Sequence, residues 1–285
     1  MSAESICCQP EVLDVIGKAL EEDISTGDAT TLSLVPESSV VEADIIARGD
    51  FVIAGSTVAA AVFETVDSSV DCTHCIPDGN HAGNDEVILS LHGRARSILT
   101  AERTALNFMQ RMTGIATMTN RFVKRVAEKN VIILDTRKTT PTLRMLEKYA
   151  VKCGGGQNHR MGLYDRVMIK DNHRRFWQDG EFSLCAAVEK ARKEFPDLMI
   201  EVEVETVDQL EDAITAKPEW LLLDNMSPQM MKECVSVCHG RARLEASGGI
   251  TLENIDQVAD AGIDAVSLGC LTHSAPAADL SLEIR

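Results

Sequence analysis

The 285-residue sequence has no apolar run approaching the roughly 18 residues that a membrane span needs. Its opening MSAESICCQP also lacks the basic flank and apolar core of a secretory signal, so the expectation is a cytoplasmic protein. Surplus positive charge is lacking too: 28 Lys and Arg stand against 44 Asp and Glu, a formal net charge of -16. Such a surface repels nucleic-acid phosphates and anionic headgroups, and neither nucleic acid nor membrane is expected as a partner. The nine cysteines are odd in number and follow no repeating frame, which suits a reducing compartment better than a disulfide scaffold. Cys72-Thr73-His74-Cys75 has the spacing of half a zinc site, but no second CxxC follows to supply four ligands. Cys234 and Cys238 are four apart and share a helical face, which points to packing.

What is present is a periodicity that changes near residue 130. Val12, Leu13, Ile16 and Leu20 recur at helical spacing ahead of acidic Glu21, Glu22 and Asp23. From Val40 to Ser97, β-rich runs (VVEADIIARG, FVIAG, VILSLHGRARSIL) alternate with turn signals, which predicts a small sheet domain. Thr100 is a candidate cap for a long helix with Leu106, Met109, Met112 and Ile115 on a buried stripe. Beyond Asn130 come VIILDT, VMIK, LMIEVEVE, WLLLDN, ARLEAS and DAVSLG, alternating with helical segments such as 206–216, 227–238 and 251–261. Strand and helix in alternation imply a parallel sheet curled towards a barrel. Six or seven strands fall short of eight, so the barrel is expected to be incomplete. The fold class is then α/β: an N-terminal α/β sheet domain, residues 1–115, and an irregular, incomplete parallel α/β barrel, residues 116–274.

Positive charge concentrates between Asp135 and His173, where eight Lys and Arg meet four Asp and Glu. A basic island in an acidic chain suits a compact anion, although a solvated basic face has the same composition. Arg137-Lys138 follow one apolar run, His159-Arg160 follow a Gly triplet, and Lys170 ends another apolar run. Cations thus recur where strands end, the place at which α/β sheets and barrels put their sites. In LMIEVEVE, the strand period places Glu201, Glu203 and Glu205 on one face and Val202 and Val204 on the other. With the valines towards the helices, Glu205 points into the mouth, where Lys138 and Lys170 could neutralise it. Asp224-Asn225 stand where Leu221-Leu222-Leu223 must emerge, a position for a magnesium or ribose-hydroxyl partner or simply for an Asx turn or helix cap. Ser247-Gly248-Gly249 and Leu268-Gly269 end the last two strands and could cradle phosphate with backbone N–H groups, with His273 a possible further donor. Ordinary βα turns would read the same. No Walker GxxxxGKS/T occurs, Gly154-Gly155-Gly156 fails GxGxxG, and no paired acids precede Thr113-Gly114 as the common phosphoribosyl-diphosphate loop requires.

TRKTTP, the Gly triplet, HR and IKDNH, followed in order by EVEVE, LLLDN, EASGGI and SLGCLTHS, resemble quinolinate phosphoribosyltransferase across most of the chain after about residue 95. The sequence departs from that pattern at Thr142, where glycine is expected, at Tyr164, where a smaller or more polar residue is expected, and at Ala278, where leucine is expected. The resemblance implies that the last residues, 275–285, return to the first domain. It implies quinolinate and 5-phosphoribosyl 1-diphosphate as substrates and Mg²⁺ as cofactor, with Lys138, Glu205 and Asp224 catalytic. Arg103, Arg137, Lys138, His159, Arg160 and Lys170 would bind substrate, and Ser247, Gly248, Gly249, Gly269 and His273 the phosphate. Glu205 and Asp224 would sit near ribose and the magnesium diphosphate. It also implies a homodimer, or a hexamer of dimers, with Arg103 of one chain serving the barrel of another. Two other readings stay open: a nicotinate-type phosphoribosyltransferase without decarboxylation, which would need fewer cations, and a noncatalytic phosphometabolite-binding protein, which would need neither Glu205 nor Asp224.

Overall fold

The structure, a computed structural model, describes residues 6–177 and 182–285; the first five residues of the opening decapeptide lie outside them. In chain order the elements begin with α1 (Pro10–Ile24), α2 (Ala29–Leu34), β1 (Val40–Ala47), β2 (Phe51–Val52), α3 (Ser56–Val66), β3 (Asp71–His74), β4 (His81–Ala82) and β5 (Val87–Arg94). There follow α4 (Ala95–Arg125), β6 (Ile132–Leu134), α5 (Arg144–Cys153), β7 (Val167–Ile169), α6 (Asp171–Arg175), α7 (Leu184–Glu194), β8 (Ile200–Val204) and α8 (Val207–Thr215). The chain ends with β9 (Trp220–Asp224), α9 (Pro228–Cys238), β10 (Arg243–Ser247), α10 (Ile255–Ala259), β11 (Ala265–Ser267), α11 (Cys270–His273) and β12 (Leu280–Ile284). No described helix is long and apolar enough to cross a membrane.

Two compact units result. The first comprises Met1–Asn120, Lys138–Gly155 and Cys270–Arg285. Its four-stranded antiparallel sheet has the order β12-β1-β5-β3, so the C-terminal strand pairs directly with the first. Small residues let the tail reach α4: a Cβ on Gly114 would collide with the carbonyl oxygen of Pro276. Next to it the Gln110 side chain donates to the Leu280 carbonyl at 2.9 Å and the Gln110 carbonyl accepts from Ala278 N at 2.9 Å. Residues 138–155 group with this unit rather than with the sheet that follows them, unlike a simple division near residue 115. Tyr149 donates to Asp78 at 2.9 Å, and Gly154 lies against the backbone of Ala116, where no side chain would fit.

The second unit, Arg121–Arg137 with Gly156–Gly269, is built on a six-stranded parallel sheet of order β6-β11-β10-β9-β8-β7. Among the described residues β6 and β7 remain its two edges, so the barrel is incomplete. Val202, Val204, Leu221 and Leu223 are fully buried, each large apolar side chain contributing about 1.5–3 kcal/mol. Helix starts are set locally: the Thr206 and Ser227 side chains accept from Gln209 N and Met230 N, both at 3.2 Å, and Pro228 opens α9.

Four sequence readings change. A helix, α3, interrupts the stretch read as a small sheet domain, and its N-terminus is capped from 22 residues away: Asp78 accepts from Gly55 N, Ser56 N and the Ser56 hydroxyl. The long helix begins at Ala95 rather than Thr100, since Ala95 N reaches Ser39 O at 2.9 Å and Arg96 Nε reaches Val35 O at 2.8 Å, tertiary partners that no local signal announces. Leu106, Met109, Met112 and Ile115 do form its buried stripe. Helix α10 starts at Ile255 because Thr251 N is taken by the Asn254 side chain in a turn. Leu13 is exposed whereas Val12, Ile16 and Leu20 are buried, so α1 buries a narrower face than expected.

Thr140-Pro141-Thr142-Leu143 closes a turn through Leu143 N to Thr140 O at 3.1 Å, and Thr142 sits at φ +69°. Proline followed by a left-handed residue is the type II pattern, which favours glycine at Thr142's position. A β-branched residue there carries strain of about 1–2 kcal/mol. Thr142→Gly should therefore raise the melting temperature by a degree or two, and Thr142→Val should not; a loss of stability in the glycine variant would show that the turn is unstrained.

Candidate active site

Register fixes one edge of the parallel sheet. Asp224, Ser247, Ser267 and Leu134 lie level across β9, β10, β11 and β6, while Leu223 pairs with Val204 and Val202 with Ile169. The residues that leave the strands at this edge are Asp135 to Arg137, Gly269, Gly248-Gly249, Asp224-Asn225, Glu205 and Lys170. The sequence thus brings an arginine, a lysine, three carboxylates and two glycine turns to the carboxyl ends of parallel strands. A cavity of about 500 Å³, lined by Met199, Glu219, Trp220, Arg243 and Asp264, lies at the opposite edge.

The loop that carries His159 and Arg160 is held by a buried acid. Asp135, fully buried, accepts from His159 N at 2.9 Å and from Asn158 Nδ2 at 2.6 Å. That anchors Arg160 beside the strand that delivers Arg137. Burial, and then repulsion from Arg137, hold the Arg160 guanidinium below its ordinary range. The charge of Arg137 is thus felt at Arg160.

His159, read from the sequence as a substrate ligand, has its ring engaged by acids behind the loop. Its ring is buried: Nε2 faces Glu201 Oε2 at 3.1 Å and Glu245 Oε2 at 3.4 Å, and Nδ1 accepts from Arg160 N at 2.7 Å. The ring therefore shapes the turn that presents Arg160. Arg166 completes the cluster, with Nη1 3.2 Å from Glu201 Oε2 and its guanidinium carbon 5.6 Å from the Trp220 ring centroid. His159, Glu201 and Glu245 could together ligate a divalent cation. Arg166 stands against that, since its Nη1 also lies 3.3 Å from His159 Nε2 and brings positive charge to the place an ion would take.

Lys170 pairs with Glu203 rather than Glu205. Glu203, on β8, also offers its carbonyl to Arg174 at 2.7 Å. Glu205 follows the strand, is exposed, and its backbone N–H donates to Gln209. Asp224, half-buried, accepts from the Asn225 side chain at 3.0 Å. Ser227, not Asp224, caps α9. Gly248 and Gly249 have φ +92° and +63°, and a Cβ on Gly248 would strike the Asn225 side chain. Glycine is thus required where the turn after β10 approaches the carboxylate end of β9.

Arg103, Lys138 and His273 belong to the first unit. Arg103 lies nine residues inside α4's start at Ala95 counting inclusively, and His273 ends α11. Lys138 is the residue after Arg137 but groups with Arg103, which removes the expected contrast between an N-terminal Arg103 and a barrel-borne Lys138. Residues that sequence reasoning passed over are Glu203 as the lysine's partner, Glu201 as a buried acid, Arg166 and Glu245. Glu245 carried a signal: an acid between the apolar Leu244 and Ala246 at the middle of a strand.

Similarity to known proteins covers nearly the whole chain. Residues 28–113 match the quinolinate phosphoribosyl transferase N-terminal domain and residues 115–283 its C-terminal domain. The chain is 43% identical over 264 residues to a probable carboxylating nicotinate-nucleotide pyrophosphorylase of Bacillus subtilis, spanning 92% of this chain and 90% of that one. It is 40% identical to the carboxylating nicotinate-nucleotide pyrophosphorylase of Mycobacterium leprae, spanning 95% and 96%. The solved nicotinate-nucleotide pyrophosphorylase of Francisella tularensis superposes with a TM-score of 0.90 at 39% identity over 96% of both chains. Human nicotinic acid phosphoribosyltransferase, at 10% identity and a TM-score of 0.61 over 90% of this chain and 72% of that one, shares the fold alone.

The buried cluster makes stability depend on pH. Burial pulls the His159 ring down, but its bonds and attraction to Glu201 and Glu245 outweigh this and bring it up to about 9; burial and then repulsion from Glu201 push Glu245 up. The Arg160 amide aimed at Nδ1 disfavours a proton on that nitrogen, so the extra proton belongs to the cluster rather than to one group. With Arg166 as one positive charge against two carboxylates, the folded cluster retains a proton that an unfolded histidine releases near pH 6.5. Stability from this source is present below about 6.5 and is lost as pH rises through about 9. Melting temperatures across that window should fall less steeply for Glu245→Gln than for the parent; parallel curves would remove the cluster as the cause.

Proposed function

The chain belongs to the quinolinate phosphoribosyltransferase family, and we propose that it transfers the phosphoribosyl group of 5-phosphoribosyl 1-diphosphate to quinolinate. The products are nicotinate mononucleotide, diphosphate and CO₂, a step of NAD biosynthesis. The observation that carries this reading is that Arg137 leaves the end of β6 beside Asp135, the acid that anchors the loop bearing Arg160, so that the charge of Arg137 is felt at Arg160 as repulsion. Quinolinate has adjacent carboxylates, and a dianion relieves that repulsion with bidentate bonds where a monoanion would leave one cation unmatched. By the family resemblance, Lys170, Arg103 and Lys138 are read as further ligands of the substrates.

Departure of diphosphate leaves positive charge on the ribose, and the carboxylates of Glu205 and Asp224 at adjacent strand ends are placed to stabilise it. The Gly248 and Gly249 turn and the start of the segment after β11 offer backbone N–H groups to the 5-phosphate. Once the ring nitrogen is alkylated and cationic, the carbanion left as CO₂ departs is stabilised by the neighbouring positive charge. The donor set fits Mg²⁺: among the described residues neither Glu205 nor Asp224 has an ion-pair partner, Lys170 being engaged by Glu203, and both offer hard oxygens at the edge of the sheet. Bound there with the substrate, Mg²⁺ would neutralise the leaving diphosphate. A cytoplasmic enzyme assembled as a homodimer, or as a hexamer of dimers, with Arg103 serving a neighbouring chain, completes the proposal.

Incubation with phosphoribosyl diphosphate, Mg²⁺ and quinolinate should yield CO₂ and nicotinate mononucleotide in equal amounts, and nicotinate should give little product. Turnover of nicotinate at the quinolinate rate would select the non-decarboxylating reading, and no turnover of either would leave a binding protein. Sharing of the site has its own test. When inactive Arg103→Ala and Glu205→Ala chains exchange subunits at random, about half of the dimers are mixed, and in each of these one site is intact. About a quarter of all sites should recover; no recovery despite verified exchange would show that Arg103 serves its own chain.

A further inference from the structure

The first unit contains a buried ion pair that the reaction as described does not use. Glu147, on α5, is 1% exposed, and its carboxylate gathers four donors. Arg111 of α4 donates to Oε1 through Nε at 3.1 Å and Nη2 at 2.9 Å, while the Thr140 hydroxyl donates to Oε1 at 2.8 Å and Thr140 N to Oε2 at 3.1 Å. Arg111 continues outward. Its Nη1 donates to Ala275 O at 2.9 Å and its Nη2 to Thr272 O. Thr272, fully buried on α11, closes the circuit, its hydroxyl donating to the carbonyl of Lys138 at 2.8 Å. Lys138 is therefore held on both sides: its own carbonyl is tied to α11, and two residues later Thr140 is clamped to Glu147.

The energetics favour a positioning role. A carboxylate this deeply buried is costly unless its lone pairs are filled, and charge-assisted bonds are the ones strong enough to offset that cost. Two of the four bonds are spent on Thr140, in a loop whose next turn already carries the strained Thr142. An apolar pair of similar volume would fill this part of the unit without fixing that loop. What the ion pair adds is the place of the backbone around Lys138, and through Thr272 the place of the segment that bears His273.

We propose that Arg111 and Glu147 are positioning residues, acting through Thr140 and Thr272 to fix the backbone of Lys138. The inference rests on the reading of Lys138 as a residue of the reaction. A misplacement of about 1 Å at such a group costs on the order of 10²-fold in turnover. The test is a double-mutant cycle on the full-length enzyme, measured by release of labelled CO₂ from quinolinate. Glu147→Gln should lower kcat about 10–100-fold while KM for either substrate changes less than threefold. The same substitution in a Lys138→Ala background should change the residual rate little, because the group being positioned is gone. Thr272→Val, which keeps volume and removes only the donor to Lys138, should repeat the pattern at about 3–10-fold and stands in for Glu147→Gln if that variant does not fold. Equal loss of kcat in both backgrounds would reveal a general structural role and overturn the inference while leaving Lys138 in the reaction. Full activity in Glu147→Gln and Thr272→Val would overturn it as well. Full activity in Lys138→Ala alone would remove the Lys138 reading and this one with it.

Discussion

Positive charge has to be held against itself at one edge of the parallel sheet, and much of the second unit serves that constraint. Arg137 arrives at the end of β6 and Arg160 on a loop, so they can be kept together only if something other than mutual attraction fixes the loop. Asp135 does so by accepting the backbone of His159 and the side chain of Asn158. His159 in turn gives its ring to Glu201 and Glu245 on one side and receives the Arg160 amide on the other. The negative charges that stabilise the assembly are buried behind the cations, where they orient without neutralising the edge. Glu203 is the exception, facing Lys170 directly.

The first unit shows the same division between a buried acid that orients and a basic residue that is presented. Glu147 is sealed and saturated with donors, and the loop it holds begins with Lys138. The orienting carboxylate lies on a helix in the first unit and one residue past the end of β6 in the second, while the residue it serves is on a loop. This is how a loop can carry chemistry without the disorder that loops usually bring.

The repeating part of the architecture was legible in the sequence because its signals are local. Most of the six parallel strands are short apolar runs, Thr206 and Ser227 mark helix starts, and cations and glycines punctuate the strand ends. What was not legible depends on partners distant in sequence. Helix α3 owes its start to Asp78, and α4 its early start to Ser39 and Val35. The strand period correctly grouped Glu201, Glu203 and Glu205, but the pattern does not say how far along the strand water reaches. In the structure the first is buried on Arg166, the second meets Lys170, and only the third is exposed. Histidine was the hardest case: beside Arg160 it reads as a second cation for the ligand, and only the acids converging from β8 and β10 show that it faces inward.

On the proposed function, the guanidiniums of Arg137 and Arg160 together match two carboxylates on one small ring. Calorimetric titration of the protein with quinolinate, nicotinate and picolinate at one ionic strength addresses it directly. Loss of either carboxylate forfeits charge-assisted bonds of about 1.5–3 kcal/mol, so each monocarboxylate should bind about 10–100-fold more weakly than quinolinate. Replacing Arg160 with glutamine should close most of that gap. Affinities for all three acids that agree within a few-fold in the parent protein would contradict the account.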